Sequence, residues 1–232
     1  MAIACYLAMT GAEFSSCACF PPHIGWLACH FSSFGPGLSN IPRALSPDSV
    51  LILDDSTPFS DHSTDLILRQ LQKAVTALQL RGIVLDFQRE KNAAVQKIVA
   101  TLQRELPCPV AAPAEYALKD HPVFVSPCPL NRPLNQHLVP YQDRPIWLDV
   151  TPLPLQITVT AKGSTFSTVS APGTTEILHT APALHCSYSV EVQQDRIIFT
   201  LLRSEERFNA WLQEAEALGV TAAVGLYQEF RK

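Results

Sequence analysis

Asp86 and Gln88 close the run Gly82-Ile83-Val84-Leu85-Asp86-Phe87-Gln88, which stays apolar until its end. Read as a strand, it alternates: Ile83, Leu85 and Phe87 on one face, Val84, Asp86 and Gln88 on the other. A strand buried on both faces that ends in a carboxylate and an amide is how barrel enzymes present reacting groups. Other apolar runs finish in the same way, at His30, Asp54, Asp55, Glu115, Tyr116, Asp149, Tyr227, Gln228 and Glu229. Asp86, Glu115, Asp149 and Glu229 are the candidate catalytic carboxylates, one to give a proton and another to act as base or nucleophile. Gln88, Asp55, His30, Trp147 and Tyr227 are the candidate ligand contacts. Parity puts Trp147 with Asp149 and Tyr227 with Glu229, and Asp55 joins the four acids as an expected lumen carboxylate. The bland alternative is that such acids cap helices and bond backbone amides around the rim.

These residues need a scaffold that brings strand ends to one rim. Eight short apolar runs qualify as strands: Ile3–Met9, Ile24–His30, Val50–Asp54, Gly82–Gln88, Val110–Ala114, Val123–Ser126, Ile146–Val150 and Val220–Tyr227. That many strands in 232 residues suit a closed sheet. Ser63 or Thr64 can cap a helix to about Leu80, with Ile67, Leu71, Ala74 or Val75, and Leu78 facing inward. Val95, Ile98, Val99 and Leu102 give Asn92–Leu106 the same periodicity. A third helix starts after Ser204, carries Glu205 and Glu206 in its first turn, buries Phe208, Trp211, Leu212 and Ala215, and stops at Gly219. Strand and helix alternating over residues 50–114 is the parallel βαβ pattern, whose right-handed crossovers lead around a barrel. The Pro-, Asn- and Gln-rich connection between Ser126 and Trp147 predicts no full helix.

Residues 151–203 read differently. Leu155–Thr160 and Thr165–Ser170 flank a turn at Ala161-Lys162-Gly163-Ser164, and Ser187–Val192 and Arg196–Leu202 flank Gln193-Gln194-Asp195. The expected fold is an α/β, (β/α)8 TIM-type barrel, irregular, forming one domain over residues 1–232. Its small antiparallel β-hairpin insertion, 151–203, precedes the last strand. Ile3–Met9 is either a barrel strand or the hairpin partner of Ile24–His30.

The run Gly82–Gln88 resembles the fourth-strand motif of family 18 glycoside hydrolases, the chitinase group, which has the form D-G-x-D-x-D-x-E. By strand count it is the fourth here too. The resemblance implies a TIM barrel with a small insertion before the eighth strand, which 151–203 matches, and an oligosaccharide or amino-sugar ligand. Asp86 falls on the aspartate that orients the substrate's acetamido group in that family. Gln88 falls on the catalytic acid, Arg81 and Val84 fall on the upstream aspartates, and Leu53-Asp54-Asp55-Ser56 replaces the serine-glycine-glycine third strand. An amide has no proton to give a departing sugar oxygen, a step typically worth ~10²–10⁴-fold.

The resemblance therefore implies a carbohydrate-related rim site in which the usual chitinase route is closed. One alternative is an active glycosidase whose substitute acid is Glu115, Asp149 or Glu229. Its carboxyls would stand ~5–5.5 Å apart for retention or ~6.5–9.5 Å apart for inversion. Another is a non-catalytic protein-interaction domain that keeps only the fold. A sugar's C–H face packs on an aromatic ring, which makes Phe31, Phe34, Tyr116, Tyr141, Trp147 and Tyr227 candidate platforms, each equally suited to a core.

Composition limits the other partners. With 16% charged residues, a net charge of -4 and no basic stripe, the chain offers nothing to attract nucleic acid or an anionic membrane. Nineteen prolines against nine glycines point to stiff, irregular connections. Between Met1 and Pro42 the only charged side chain is Glu13, yet no basic region precedes the short apolar Ala2–Met9, and no run reaches the ~20 residues of a membrane span. A cytoplasmic location with seven reduced, scattered cysteines is the expectation. Cys17, Cys19, His23, Cys29 and His30 lack the paired spacing of a zinc site, so no metal is expected. Phe34-Gly35-Pro36-Gly37-Leu38 lacks the G-x-x-x-x-G-K pattern of a phosphate cradle, and no cofactor is expected.

Overall fold

In a computed structural model that describes residues 3–169 and 178–231, the eight apolar runs close into a barrel. The strands are β1 (Ala4–Met9), β2 (Ile24–Phe31), β3 (Leu38–Ser39), β4 (Val50–Asp54), β5 (Gly82–Asp86), β6 (Val110–Pro113), β7 (Val123–Val125) and β8 (Ile146–Asp149), then β9 (Leu155–Thr160), β10 (Gly163–Thr168), β11 (His179–Ala181), β12 (Cys186–Val192), β13 (Arg196–Leu202) and β14 (Val220–Leu226). The barrel order is β1-β14-β8-β7-β6-β5-β4-β2, and β1 pairs in parallel with β2 to complete the ring. β1 is thus a barrel strand, and β5 is the fourth in chain order. The short β3 folds back antiparallel on β2.

The helices are α1 (Gly11–Ser16), α2 (Thr64–Leu78), α3 (Ala93–Glu105), α4 (Leu134–Leu138), α5 (Glu205–Ala217) and α6 (Tyr227–Phe230). Side-chain caps start the three long ones: Ser63, Asn92 and Ser204 accept from the backbone N–H groups of Leu66, Val95 and Arg207. Ile67, Leu71, Val75 and Leu78 of α2 and Ile98, Val99 and Leu102 of α3 bury against the outward side chains Leu51, Leu53, Ile83 and Leu85. Phe208, Trp211 and Ala215 of α5 cover β7, β8 and β14. Elsewhere the ring is irregular: no helix joins β2 to β4 or β6 to β7, and only α4 and a 3-10 turn, Val139–Tyr141, join β7 to β8. Gly219, at φ 93, follows α5 as its periodicity predicts.

The lumen is packed. Tyr6, Ala8, Val50, Ile52, Val84, Ala111, Trp147, Ala222 and Val224 form one buried cluster inside the ring. Trp147 stacks on Tyr6 with centroids 6.2 Å apart. It crosses so close to β5 that a Cβ on Gly82 would sit 2.6 Å from its ring, and Gly82 makes that packing possible.

The insertion is a five-stranded antiparallel sheet, order β10-β9-β13-β12-β11, which lies between the seventh and eighth barrel strands. Thr160 pairs directly with Gly163, so the first turn is the two residues Ala161-Lys162 and not the four expected. Gly163, at φ 136, already belongs to β10, in a conformation open to glycine. Ser170, the expected end of that strand, lies outside the described residues. Five barrel strands, β5, β6, β7, β8 and β14, end one or two residues sooner than expected. After Asp86 the Gln88 N–H donates to the Asp55 carboxylate at 3.0 Å and not to a neighbouring strand. After Leu226 the chain turns into α6. No helix among the described residues is long and apolar enough to cross a membrane.

Candidate functional site

At the carboxyl ends of the strands, alternation decides which polar groups face the mouth. In β5 Val84 belongs to the lumen while Ile83, Leu85 and Phe87 belong to the outer core, so Asp86 stands above Val84 on the lumen side. In β8 Trp147 fills the lumen and Asp149 stands above it. In β4 Val50 and Ile52 point inward, which selects Asp54. Asp55 is on the other parity, and this corrects its expected place as a lumen carboxylate. Its two oxygens accept from the backbone N–H groups of Gln88 (3.0 Å) and Arg89 (2.9 Å), tying the β4 and β5 loops together.

β2 reaches the same result by an irregularity. Its register to β4 slips between Leu27 and Cys29, leaving Ala28 as a bulge. Cys29 and Phe31 are thereby turned into the outer core, and His30 pairs in register with Asp54, which pairs with Asp86. His30, Asp54 and Asp86 form one row across three adjacent strands.

Three adjoining cavities share Asp86 and Gln88. The central one, about 270 Å³, is floored by Leu27, Ile52, Val84, Phe124 and Val224, with Asp86, Asp149 and Glu229 on its wall. A second, about 350 Å³, lies toward β4, between Asp54, Asp55, Ser56 and Arg89. A third, about 410 Å³, lies toward β7, with Glu115, Asp149 and Tyr141. The structure therefore brings Asp86, Asp149, Glu229 and Gln88 together, with Glu115 exposed at the far side. His30 shares their row but lines none of these three spaces.

Two expected ligand contacts lie elsewhere. Trp147 is 5% exposed, stacked inside the barrel below the mouth, because its large ring fills the space over Gly82. Tyr227 belongs to α6, so the strand parity that linked it to Glu229 does not apply. Its hydroxyl lies 3.4 Å from the Cys17 thiol, away from the groove. Of the other rings, Phe31 and Tyr116 are buried in the outer core, Tyr141 lines the third cavity, and Phe34 is fully exposed. The sequence reading missed Leu153 and Thr168, which reach the central cavity from the stem of the insertion. Their signal was positional, since an insertion after the seventh strand leaves from the rim.

The electrostatics of the mouth are acidic. Burial raises the Asp86 carboxyl above the usual range; the Gln88 side-chain amide, which donates to it at 3.1 Å, works the other way, and the charges of Asp54 and Asp55 push it up further. Asp149 is pushed up to about 7, first by burial and then by the charges of Asp86 and Glu229. The nearby cations are committed to backbone carbonyls: Arg89 donates to those of Asp55 and Ser56, and Lys91 to that of Glu115. Near neutral pH Asp149 can give a proton, Asp86 can accept hydrogen bonds, and Gln88 can only donate or accept without titrating. No group of three or more His, Cys, Asp or Glu among the described residues is placed to hold a metal ion.

No protein-family model and no curated protein sequence matches the chain. Solved structures do share its fold. A chitinase-like agglutinin from Robinia pseudoacacia aligns over 100% of this chain and 96% of its own, at TM-score 0.63 and 9% identity. A class V chitinase from Nicotiana tobaccum aligns over 100% and 95%, at TM-score 0.57 and 8% identity. A double mutant of a family 18 chitinase from Cycas revoluta, in complex with (GlcNAc)4, aligns over 96% and 94%, at TM-score 0.50 and 8% identity. The chain is thus structurally similar to family 18 chitinases and chitinase-like proteins, and at these identities what is shared is the fold.

Proposed function

We propose that the protein binds a saccharide across the barrel mouth, with Asp86, Gln88 and Asp149 as its polar contacts, and that Gln88 closes the usual chitinase route. The observation that carries this reading is the run of three adjoining cavities built around Asp86 and Gln88, with apolar floor and polar wall. A sugar asks for that mixture: flat C–H faces to lie on Phe124 and Leu27, hydroxyls and amides to meet carboxylates. The fold's other holders support it, since they include a chitinase-like agglutinin and a chitinase holding (GlcNAc)4. Calorimetry against chito- and gluco-oligosaccharides tests it. Binding of an N-acetylglucosamine oligomer is expected, and Asp86→Ala should weaken it by roughly tenfold to a hundredfold. A wild-type protein that binds no sugar of either series would refute the reading.

A second reading, an active glycosidase, is favoured by one specific arrangement: Asp149 lines the same cavities as Asp86, and burial with the nearby acidic charges pushes its carboxyl up to about 7, so that it is partly protonated near neutral pH. In that reading Asp149 protonates the departing sugar oxygen in place of the missing acid. Its turnover of a fluorogenic chito-oligosaccharide would fall as pH rises through about 7, and Asp149→Asn would abolish it. Turnover that survives in Asp149→Asn would rule Asp149 out as the acid.

A further inference from the structure

Glu229 reaches the mouth from α6, a single helical turn, and not from a strand. Both ends of that turn are anchored. The Tyr227 hydroxyl lies 3.4 Å from the Cys17 thiol. The Phe230 ring meets Phe208 edge-on, with centroids 5.6 Å apart. It also presses on β14, where a Cβ on Gly225 would sit 2.6 Å from it. Between these anchors Glu229 borders the central cavity together with Asp86 and Asp149, so three carboxylates share one space of about 270 Å³. Asp54 and Asp55 border the adjoining space toward β4, and Glu115 the one toward β7.

The nearby cations have other partners. Arg89 and Lys91 donate to main-chain carbonyls. Arg203 and Arg231 line a separate cavity with Cys5 and Leu7 of β1, which Glu229 also borders, and Arg203 lies over the Trp211 ring, 4.5 Å from its centroid. Among the described residues no ion pair involves Asp86, Asp149 or Glu229. A neutral ligand that drives water from this wall strips the carboxylates of hydration and returns no charge. An ammonium group compensates with charge-assisted hydrogen bonds. The floor of Leu27, Ile52, Val84, Phe124 and Val224 asks in addition for an apolar body, so a bare inorganic cation does not suit the space. An amine carried on a pyranose ring meets both demands.

We propose that Glu229 makes this groove select its sugar by charge, taking glucosamine units with a protonated amine in preference to N-acetylglucosamine units. The proposal rests on the saccharide reading above and adds to it the class of ligand and the residue that sets the choice. Asp86 and Asp149 serve as polar contacts for either sugar. Glu229 faces the same space from α6 and adds the charge that only the amine answers.

Calorimetry at mildly acidic pH, where the sugar amine holds its proton, compares the glucosamine tetramer with the N-acetylglucosamine tetramer. The amine oligomer is expected to bind wild type about tenfold more tightly. That lead should shrink as salt is raised, because screening weakens the charge attraction and spares the apolar contact. Glu229→Gln keeps the size and removes the charge, and it should bring the ratio of the two affinities toward one. Glu229→Asp should keep most of the ratio. Asp195→Asn, which removes an acid from the turn between β12 and β13, should leave it unchanged. Equal affinities in wild type, or a preference that Glu229→Gln leaves intact, would overturn the proposal while the saccharide reading stands. Failure of wild type to bind either oligomer would remove both.

Discussion

The barrel and the inserted sheet use similar apolar residues to opposite ends. In β4 the side chains from Val50 to Leu53 are buried on both faces, and in β5 so are those from Ile83 to Leu85. In β10 all six residues are exposed. The inserted sheet nevertheless has an apolar face, because pairing sets Phe166, Ile157, Phe199 and Val190 in one line and Val159, Ile197 and Val192 in another. Only its inner part is covered, where Leu155 and Leu201 pack with Leu130 and Cys186. Its outer part is open: Val192 is 74% and Phe166 56% exposed. Alternation therefore says which residues share a face, and only a second layer says whether that face is core. Many of the parallel strands receive that layer from the crossover helices α2, α3 and α5; among the described residues the hairpins carry no α-helix.

The sharpest break in this comparison is expected from deletion in the barrel. Leu85→Ala removes a side chain that is 0% exposed and should cost about 2–5 kcal/mol, read by urea or thermal unfolding. A loss below about 1 kcal/mol would mean that the outer core is far looser than its burial indicates.

Next comes the mouth. The folded-state Asp149 pKa lies at about 7 against an ordinary 3.8, so below the lower value both folded and unfolded states hold the proton. Between the two values the unfolded chain ionises while the folded one does not, and stability falls as pH rises. Above about 7 the whole cost is present. Asp149→Asn should flatten this slope and raise stability at pH 8 by roughly 2 kcal/mol, a figure reduced for the water that reaches the open mouth. Parallel pH profiles for the two proteins would contradict the burial and repulsion at this position.

The smallest effect belongs to the inserted sheet. Phe166→Thr should change unfolding free energy by no more than about 0.5 kcal/mol, since more than half of the residue is already exposed. A loss comparable to that of Leu85→Ala would mean that something covers this face in solution. It would then revive the protein-interaction alternative, for which an exposed apolar patch is the expected sign.

Much of the scaffold was legible because it rests on local chemistry. Ser63, Asn92 and Ser204 mark helix starts by hydrogen bonds made within one turn, and Gly82–Asp86 marks a strand by an unbroken apolar run. Asp86 was legible for the same reason, since its parity follows from Val84 two residues earlier. Asp55, Trp147 and Tyr227 were not. Asp55 depended on where the Gln88 and Arg89 N–H groups would end, Trp147 on the space over Gly82, and Tyr227 on the chain turning helical one residue sooner.

By itself, then, the order of residues determined the strands, their inward and outward faces, and the presence of acids at their tips. Those properties depend on neighbours along the chain and on a period of two. Tertiary structure decided which acids meet and how deeply they are buried. The slip at Ala28 that turns His30 inward, the crossing of Trp147 over Gly82, and the burial of Asp149 beside Asp86 and Glu229 that lifts its pKa all depend on contacts between distant segments. Their energies follow distance and burial, and neither is written in the spacing of residues along a chain.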